Sequence, residues 1–429
     1  MNTTASNILI WTMVLCGVLS AGQVTFRQLL VTAQTDPVVL SQDNTTAAVR
    51  KSFPGIPGID DIEFEVSNTG FDPNESQYKV QVQPRGILET QAARRYNDAI
   101  ISNAKAKRLQ LLNTALYNRY LLYVDLLEYK KLHALYDDLL TVYDDRINVM
   151  ENSTYSEDFK MERLIEEEKD RTREKMKSLE VEKFISVLNQ RAAIFLSDTS
   201  FSGFDTSGLV SVETIMNRIE TEDYSLDTNN AYFNVYHSEL DVAHARHRLE
   251  VAENRRYIDA VSFTYDNGDM LDEYDRKFEH KSYDHKKAFE LEIAVRIPRL
   301  TRANHDLNRR RSDLLGESEN LEQIHEKLSE KVRKDLADLQ QLIAQHQYLS
   351  ARETEVDAEA SLKKFLQIDG VDPLILLEIK ENIIKNKIEM ISIRCGILRN
   401  YMYVVDNAGM LSREPIRNYL SEDMEEIKK

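Results

Sequence analysis

The chain has 429 residues, a formal net charge of −17, charged side chains at 30% of positions and only 13 glycines and 8 prolines. So few chain breakers among so many charged and apolar residues point to long helices and coiled coil, and the acidic balance argues against a nucleic-acid partner, which needs a basic face. Beyond residue 22 no apolar run is long enough for a membrane-spanning helix, so any passage through a membrane has to be made by strands.

Residues 8–20, ILIWTMVLCGVLS, are almost wholly apolar, and Ser20-Ala21-Gly22 offers a small-residue cleavage site. Residues 1–22 therefore read as a signal peptide for export. Its removal leaves Cys395 as the one cysteine, so no internal disulfide and no zinc site is expected. A short amphipathic helix follows over 24–33, and Asp36-Pro37 supplies the start signal of a second. Ile62, Phe64 and Val66 then alternate with Glu63 and Glu65, and Tyr78, Val80 and Val82 alternate with Lys79, Gln81 and Gln83. Apolar residues at every second position share one face of a strand, so 61–68 and 77–83 form a hairpin. After Pro84 the period changes to that of a helix, over 87–149, with Leu109, Leu112 and Leu116 and then Tyr129, Tyr136 and Tyr143 as stripes. A break at 151–154 precedes a charged return helix over 155–196.

Residues 197–211 read as a linker, and the pattern then repeats. Helices over 212–219 and 227–256 lead to a strand over 257–265 and a second over 289–297. In the latter Phe289, Leu291, Ile293, Val295 and Ile297 alternate with Glu290, Glu292 and Arg296. Pro298 again ends the strand, and Leu300, Leu307, Leu314, Leu321 and Leu328 follow at the seven-residue spacing of a packed seam in a helix over 300–368. Asp369-Gly370-Val371-Asp372-Pro373 is a turn, since glycine ends helices and proline opens them. A last helix occupies 373–405, and 407–429 is a polar C-terminal tail. Arg94 and Arg95 follow Pro84 as Arg309, Arg310 and Arg311 follow Pro298, so 23–196 and 212–406 are two degenerate copies of one unit. The expected fold class is mainly α with a small β part: a duplicated unit of long coiled-coil helices plus β-hairpins.

This order resembles the TolC-like outer-membrane efflux protein family over nearly all of the mature chain. The most specific piece is 289–311, FELEIAVRIPRLTRANHDLNRRR, which is similar to the family's strand, Ile-Pro and basic-helix segment. Residues 365–378, FLQIDGVDPLILLE, resemble the glycine-containing turn at its helix tip, and 25–37 resemble the opening helix and its Asn/Asp-Pro junction. The resemblance implies a homotrimer in which four strands per subunit close a twelve-stranded barrel joined to an α-helical periplasmic tunnel. It implies a passive conduit of a tripartite efflux or type I secretion system, whose tip meets a periplasmic adaptor joined to an inner-membrane pump. Tyr78, Val80, Val82, Phe289, Leu291, Ile293, Val295 and Ile297 become membrane strands, Pro84 and Pro298 the strand–helix junctions. Asp369, Gly370, Val371 and Asp372, with Asn152, Ser153 and Thr154 at the first break, become the adaptor-docking tips. The chain's own physics agrees: the nine residues 289–297, with one greasy and one charged face, fit a tilted membrane strand, although the first strand pair is shorter, and four strands alone are too few to close a barrel. Tyr78, Tyr257, Tyr265 and Phe289 stand at strand ends, where an aromatic girdle belongs. The helix 37–52 is about half as long as its counterpart 227–256, so the first copy is expected to be shortened.

Taken singly, the alternating segments fit half-buried sheet of a soluble protein better than membrane strands, and it is the repeat, the export signal and the helix lengths that reverse the preference; the leucine heptads are packing seams first. A non-catalytic coiled-coil scaffold or an adhesion rod without a pore is the alternative function. His237, His244 and His247 share a helical face, but their charged neighbours and the lack of an HExxH spacing make this a solvated face and not a metal site. No Ser-His-Asp set, phosphate loop or paired-carboxylate motif stands out, so neither an enzyme nor a cofactor is expected.

Overall fold

The structure, a computed structural model, describes residues 25–51, 58–68, 76–152, 160–197, 209–224, 230–266, 289–295, 302–355, 362, 364 and 372–427. The signal peptide expected at 1–22 lies outside them. The chain is mainly helical with one small antiparallel sheet. Its elements in order are α1 Phe26–Val31, a 3₁₀ turn Thr32–Thr35, α2 Pro37–Lys51, β1 Ile59–Asn68, β2 Ser76–Pro84, α3 Ile87–Asn152 and α4 Met161–Leu196. Then come α5 Val212–Thr221, α6 Ala231–Glu253, β3 Ile258–Asp266, β4 Phe289–Val295, α7 Arg302–Glu355 and α8 Pro373–Asn407.

Local chemistry sets the helix starts. Thr25 and Gln28 form a reciprocal capping box at α1, Gln28 N donating to the Thr25 hydroxyl at 3.4 Å and Thr25 N to Gln28 Oε1 at 3.0 Å. Asp36 Oδ1 accepts from Val38 N at 3.1 Å where Pro37 opens α2, and Ser211 Oγ accepts from Thr214 N at 3.1 Å at α5. Asp372 caps α8, its Oδ1 accepting from Leu374 N at 2.9 Å, with Pro373 in the first turn.

The helices and sheet fall into two compact units. One holds the chain before Ser41 with Leu109–Tyr232 and the chain from Glu326 onward; the other holds Ser41–Arg108 and Phe233–His325. In the first unit Leu112 and Leu116 of α3, Val332 and Leu339 of α7 and Ile397, Leu398 and Val404 of α8 bury their side chains in one core with Phe26, Leu29 and Leu30 of α1. Arg119 of α3 is buried in it and spends all five of its N–H donors. Nε donates to Thr32 Oγ1 at 2.9 Å, Nη1 to Asp36 Oδ2 and Ala115 O, and Nη2 to Thr32 O and Asp36 Oδ2, while Phe195 of α4 lies 4.5 Å from its guanidinium carbon.

The C-terminal stretch, polar on paper, is a packed segment. Leu411, Ile416, Tyr419, Leu420 and Ile427 are buried. Arg218 of α5 donates to the carbonyls of Tyr419, Ser421 and Glu422, each at 2.8 Å. The Tyr120 hydroxyl donates to Arg417 O at 3.0 Å and accepts from Tyr419 N at 3.1 Å.

In the second unit the strands follow the order β1-β2-β3-β4, every pair antiparallel. The adjoining helix segments are pinned by polar pairs: Lys107 Nζ to Glu239 Oε1 at 2.8 Å, Arg108 Nε to Asp43 Oδ1 at 2.5 Å, and Asn103 Nδ2 donating to Ser238 Oγ at 3.0 Å. The helices α2 and α6 are 15 and 23 residues long.

Candidate functional site

The strand period of two gives the sheet two chemically opposite faces. Along one face the register lines up three apolar rows: Ile62, Val82, Val261 and Ile293; Phe64, Val80, Phe263 and Leu291; Val66, Tyr78, Tyr265 and Phe289. Ile62, Phe64, Val66, Phe263, Phe289, Leu291, Ile293 and Val295 on this face are all exposed. The opposite face is polar apart from Ala260 and Ala294, with Glu63, Gln81, Ser262 and Glu292 in one row and Glu65, Lys79, Thr264 and Glu290 in the next. Ser262 and Thr264 are only 4% and 9% exposed, while Phe263 between them is 45% exposed on the other side.

The two ends of the sheet differ. At the end where β2 and β4 begin, Tyr78 stacks against Tyr265 with centroids 6.4 Å apart, and Tyr265 lies 4.9 Å from Phe289. Tyr257, before β3, is exposed at the other end. That other end, where the strands meet the helices, is fastened by charge. Arg85 Nη2 reaches Asp60 Oδ1 at 2.6 Å, Arg256 Nη1 reaches Asp60 Oδ2 at 3.1 Å, and both arginines lie 3.8 Å from the buried carboxylate of Glu89. Arg256 also donates to the carbonyls of Ile258 and Asp259. Nearby, burial pushes the Glu253 carboxyl above its ordinary range, and the negative charges of Glu250, Glu89 and Asp60 push the same way, against Arg85.

Of the sequence-predicted strand residues, Tyr78, Val80, Val82, Phe289, Leu291, Ile293 and Val295 lie together on this sheet; Ile297 lies outside the described residues. Pro84 closes β2 just before α3, and Pro298 is again outside. At the tips, Asn152 is the last residue of α3 and Asp372 the cap of α8, while Ser153, Thr154, Asp369, Gly370 and Val371 lie outside the described residues. His237 faces Asp241 at 3.5 Å on α6.

Inward from those helix ends lies a buried polar cluster that periodicity did not flag. Arg146 of α3 bridges Glu381 of α8 and Glu167 of α4, the latter at 2.5 Å, and Glu381 also accepts from the Tyr143 hydroxyl at 2.7 Å and pairs with Lys385 at 2.6 Å. Burial alone would raise Glu381; the hydrogen bonds from Lys385 and Tyr143 and the charges of Lys385 and Arg146 win, and hold it below the usual carboxylate range. Glu167 goes the other way, raised by burial and by Glu381 and Asp170 against the pull of Arg146. A second buried carboxyl, Asp406 of α8, accepts from Asn113 Nδ2 at 2.6 Å and the Tyr232 hydroxyl at 2.8 Å, yet burial carries it up to about 6. No helix among the described residues is long and apolar enough to cross a membrane.

No protein-family model matches this sequence, and no curated protein matches it either. Solved structures do. The outer membrane protein VceC of Vibrio cholerae is 12% identical with a TM-score of 0.65, over 90% of this chain and 96% of that one. The open-state MtrE outer membrane channel of Neisseria gonorrhoeae is 12% identical with a TM-score of 0.64, over 90% and 88%. The CmeC outer membrane channel of Campylobacter jejuni is 10% identical with a TM-score of 0.60, over 90% and 84%. With nine-tenths of its length superimposable on such chains, this protein has the fold of the TolC-like outer-membrane channels.

Proposed function

We propose that this chain is one subunit of a homotrimeric outer-membrane channel, a passive conduit for export through a tripartite efflux or type I secretion system. One observation carries the reading: a four-stranded sheet whose apolar face is exposed, whose opposite face is polar, and whose outer strands β1 and β4 each have a neighbour on one side only among the described residues. Bare edges and a greasy face are liabilities in water. Both vanish if β4 of one copy pairs with β1 of the next and the apolar rows turn toward lipid. Four strands fall short of the smallest barrels, of about eight; three copies supply twelve. The row of Tyr78, Tyr265 and Phe289 would then stand at the membrane–water boundary. A pore-free scaffold or adhesion rod leaves the outward apolar face unexplained.

In this reading residues 1–22 direct export, the helices project into the periplasm as a tunnel, and the solute passes without chemistry, energised by a separate inner-membrane pump. Residues 23–196 and 212–406 act as two structural repeats. The tips, Asn152-Ser153-Thr154 and Asp369-Gly370-Val371-Asp372, meet the helical hairpin of a periplasmic adaptor. The purified protein should run as a trimer in mild detergent and give conductance steps in a planar bilayer; a monodisperse monomer that stays in the soluble fraction would sink the proposal. Val371→Asp should leave trimer and barrel intact while impairing adaptor cross-linking and export. Unchanged cross-linking in that variant would reduce the turn to a purely structural role.

A further inference from the structure

The helix ends that adjoin the sheet are basic, although the chain as a whole is acidic. Residues 47–51 of α2, 87–98 of α3, 244–256 at the close of α6 and 302–313 of α7 hold twelve Arg and Lys against six Asp and Glu, in a chain of formal charge −17. All four stretches belong to the second unit. Their helices are neighbours there: Asp43 of α2 pairs with Arg108 of α3, Asn103 of α3 with Ser238 of α6, and Glu250 of α6 lies 3.7 Å from Arg310 of α7. Three of the six carboxylates, Glu89, Glu250 and Asp313, are taken up by Arg85, Arg256 and Arg310. Other cations are left over. Arg94 and Arg95 of α3, Arg246 and Arg248 of α6, and Arg309 and Arg311 of α7 are exposed, and none of these has a carboxylate partner among the described residues. Arg95 and Arg248 line one groove of about 390 Å³ between α3 and α6, with Ser102, Asp98 and Asp241 also in its wall.

We propose that this end of the helical unit binds the anionic phospholipid headgroups of the membrane leaflet next to it, with one headgroup phosphate seated between Arg95 and Arg248. The proposal rests on the channel reading above, which turns the apolar face of the sheet toward lipid and so sets these helix ends beside the headgroups. At 1.5 Å per residue, Arg94 and Arg95 stand about 10–12 Å along α3 from its first residue, and Arg246 and Arg248 about 8–10 Å from the last residue of α6. The headgroup layer takes about 5–8 Å on each side of the hydrocarbon. An arginine stem spans several Å of that gap, and the field of an anionic surface reaches about 8 Å further. Clusters of cations beside a membrane segment are held to anionic lipid in this way. Unpaired like charges on one surface repel each other, and a layer of phosphates relieves that repulsion. The groove adds a preference for one headgroup. Two guanidinium forks take phosphate oxygens in pairs, and the Ser102 hydroxyl supplies a further donor. Asp98 and Asp241 repel a second anion and can accept from the hydroxyls of a glycerol headgroup.

The test is lipid retention by the purified full-length protein in an uncharged detergent, followed by native mass spectrometry during titration with phosphatidylglycerol, phosphatidylethanolamine or phosphatidylcholine. At about fivefold per engaged cation, the two groove arginines should hold phosphatidylglycerol roughly twentyfold more tightly than the other two lipids at about 0.1 M salt. The difference should shrink near 1 M, where the screening length falls from about 10 to about 3 Å. The combined variant Arg94→Gln, Arg95→Gln, Arg246→Gln and Arg248→Gln strands no carboxylate, so it should keep the trimer and its conductance step while losing most of the preference. The same loss of charge from exposed positions of the other unit, Arg163→Gln, Lys169→Gln, Lys175→Gln and Lys183→Gln on α4, should leave the preference in place. Equal retention of the three lipids, a preference that survives the four arginine substitutions, or one that falls equally with the α4 set would overturn the proposal. So would displacement of the lipid by inorganic phosphate at constant ionic strength. In each of these cases a conducting trimer leaves the channel reading standing. A protein that neither forms a trimer nor conducts would overturn that reading, and the proposal with it.

Discussion

Asp406 and Arg119 show two ways of keeping a charged group inside a helical core. Arg119 has a partner for every donor, and an arginine fully paired in this way is a fastener whose loss strands its partners. Asp406 has two donors on one oxygen and none on the other among the described contacts, so burial wins and its carboxyl sits at about 6 instead of the ordinary 3.8. Lys331 of α7 favours the ionised form and Asp335 opposes it. A raised folded-state value means that the stabilisation is fully present below about 3.8 and is lost as the pH rises through about 6. Asp406→Asn keeps the oxygen that Asn113 and Tyr232 use and removes the charge. We expect it to raise unfolding stability by about 1–2 kcal/mol above pH 6 and to leave stability near pH 4 almost unchanged, measured as the difference in denaturation midpoint from wild type across that range. Equal effects at pH 4 and pH 7 would show that the carboxyl does not titrate as described.

Among the elements, the strands are where chemistry and geometry are most tightly locked, because a single step along the chain changes the face. Val80 and Gln81 are neighbours on β2, one in the middle apolar row and the other in the acidic row. Val80→Arg should cost about 2–4 kcal/mol if that face meets the middle of a bilayer, seen as loss of heat-resistant trimer after refolding into vesicles; Gln81→Arg should be tolerated. Equal tolerance of both would mean that the apolar face does not meet lipid. The same alternation explains why the sheet was legible in the sequence: every second residue reports its environment. The helices were legible as elements, since proline and glycine mark their ends and leucine their seams. The polar fasteners were not. Arg256 belongs by pattern to the helix before β3, yet it leaves that helix to hold Asp60 and two carbonyls. Arg146, Glu167 and Glu381 are far apart in the chain and look like ordinary solvated helix charge until three helices meet.

At the scale of the whole chain, the fold closes on its own C-terminal segment. Hydropathy reads 407–429 as a polar tail because its apolar residues are scattered without a period, whereas packing against α3 and α5 gives each of them a place. Arg218→Ala would leave one buried and two part-buried carbonyl acceptors without this donor and should cost about 3 kcal/mol, with Arg218→Lys recovering less than half. The readout is hydrogen exchange across 409–427, which should accelerate there and remain slow in the middle of α3; unchanged exchange would mean that the segment is held by its side chains. The three carbonyls that Arg218 captures, and those that Arg256 captures, belong to the main chain, and every amino acid carries the same one. A fastening that reads the path of the backbone and ignores its lettering sets no requirement on the residues at the receiving end. Such a molecule is free to rewrite much of its text while keeping its form, which is one physical route by which a chain can share nine-tenths of its course with another at 12% identity.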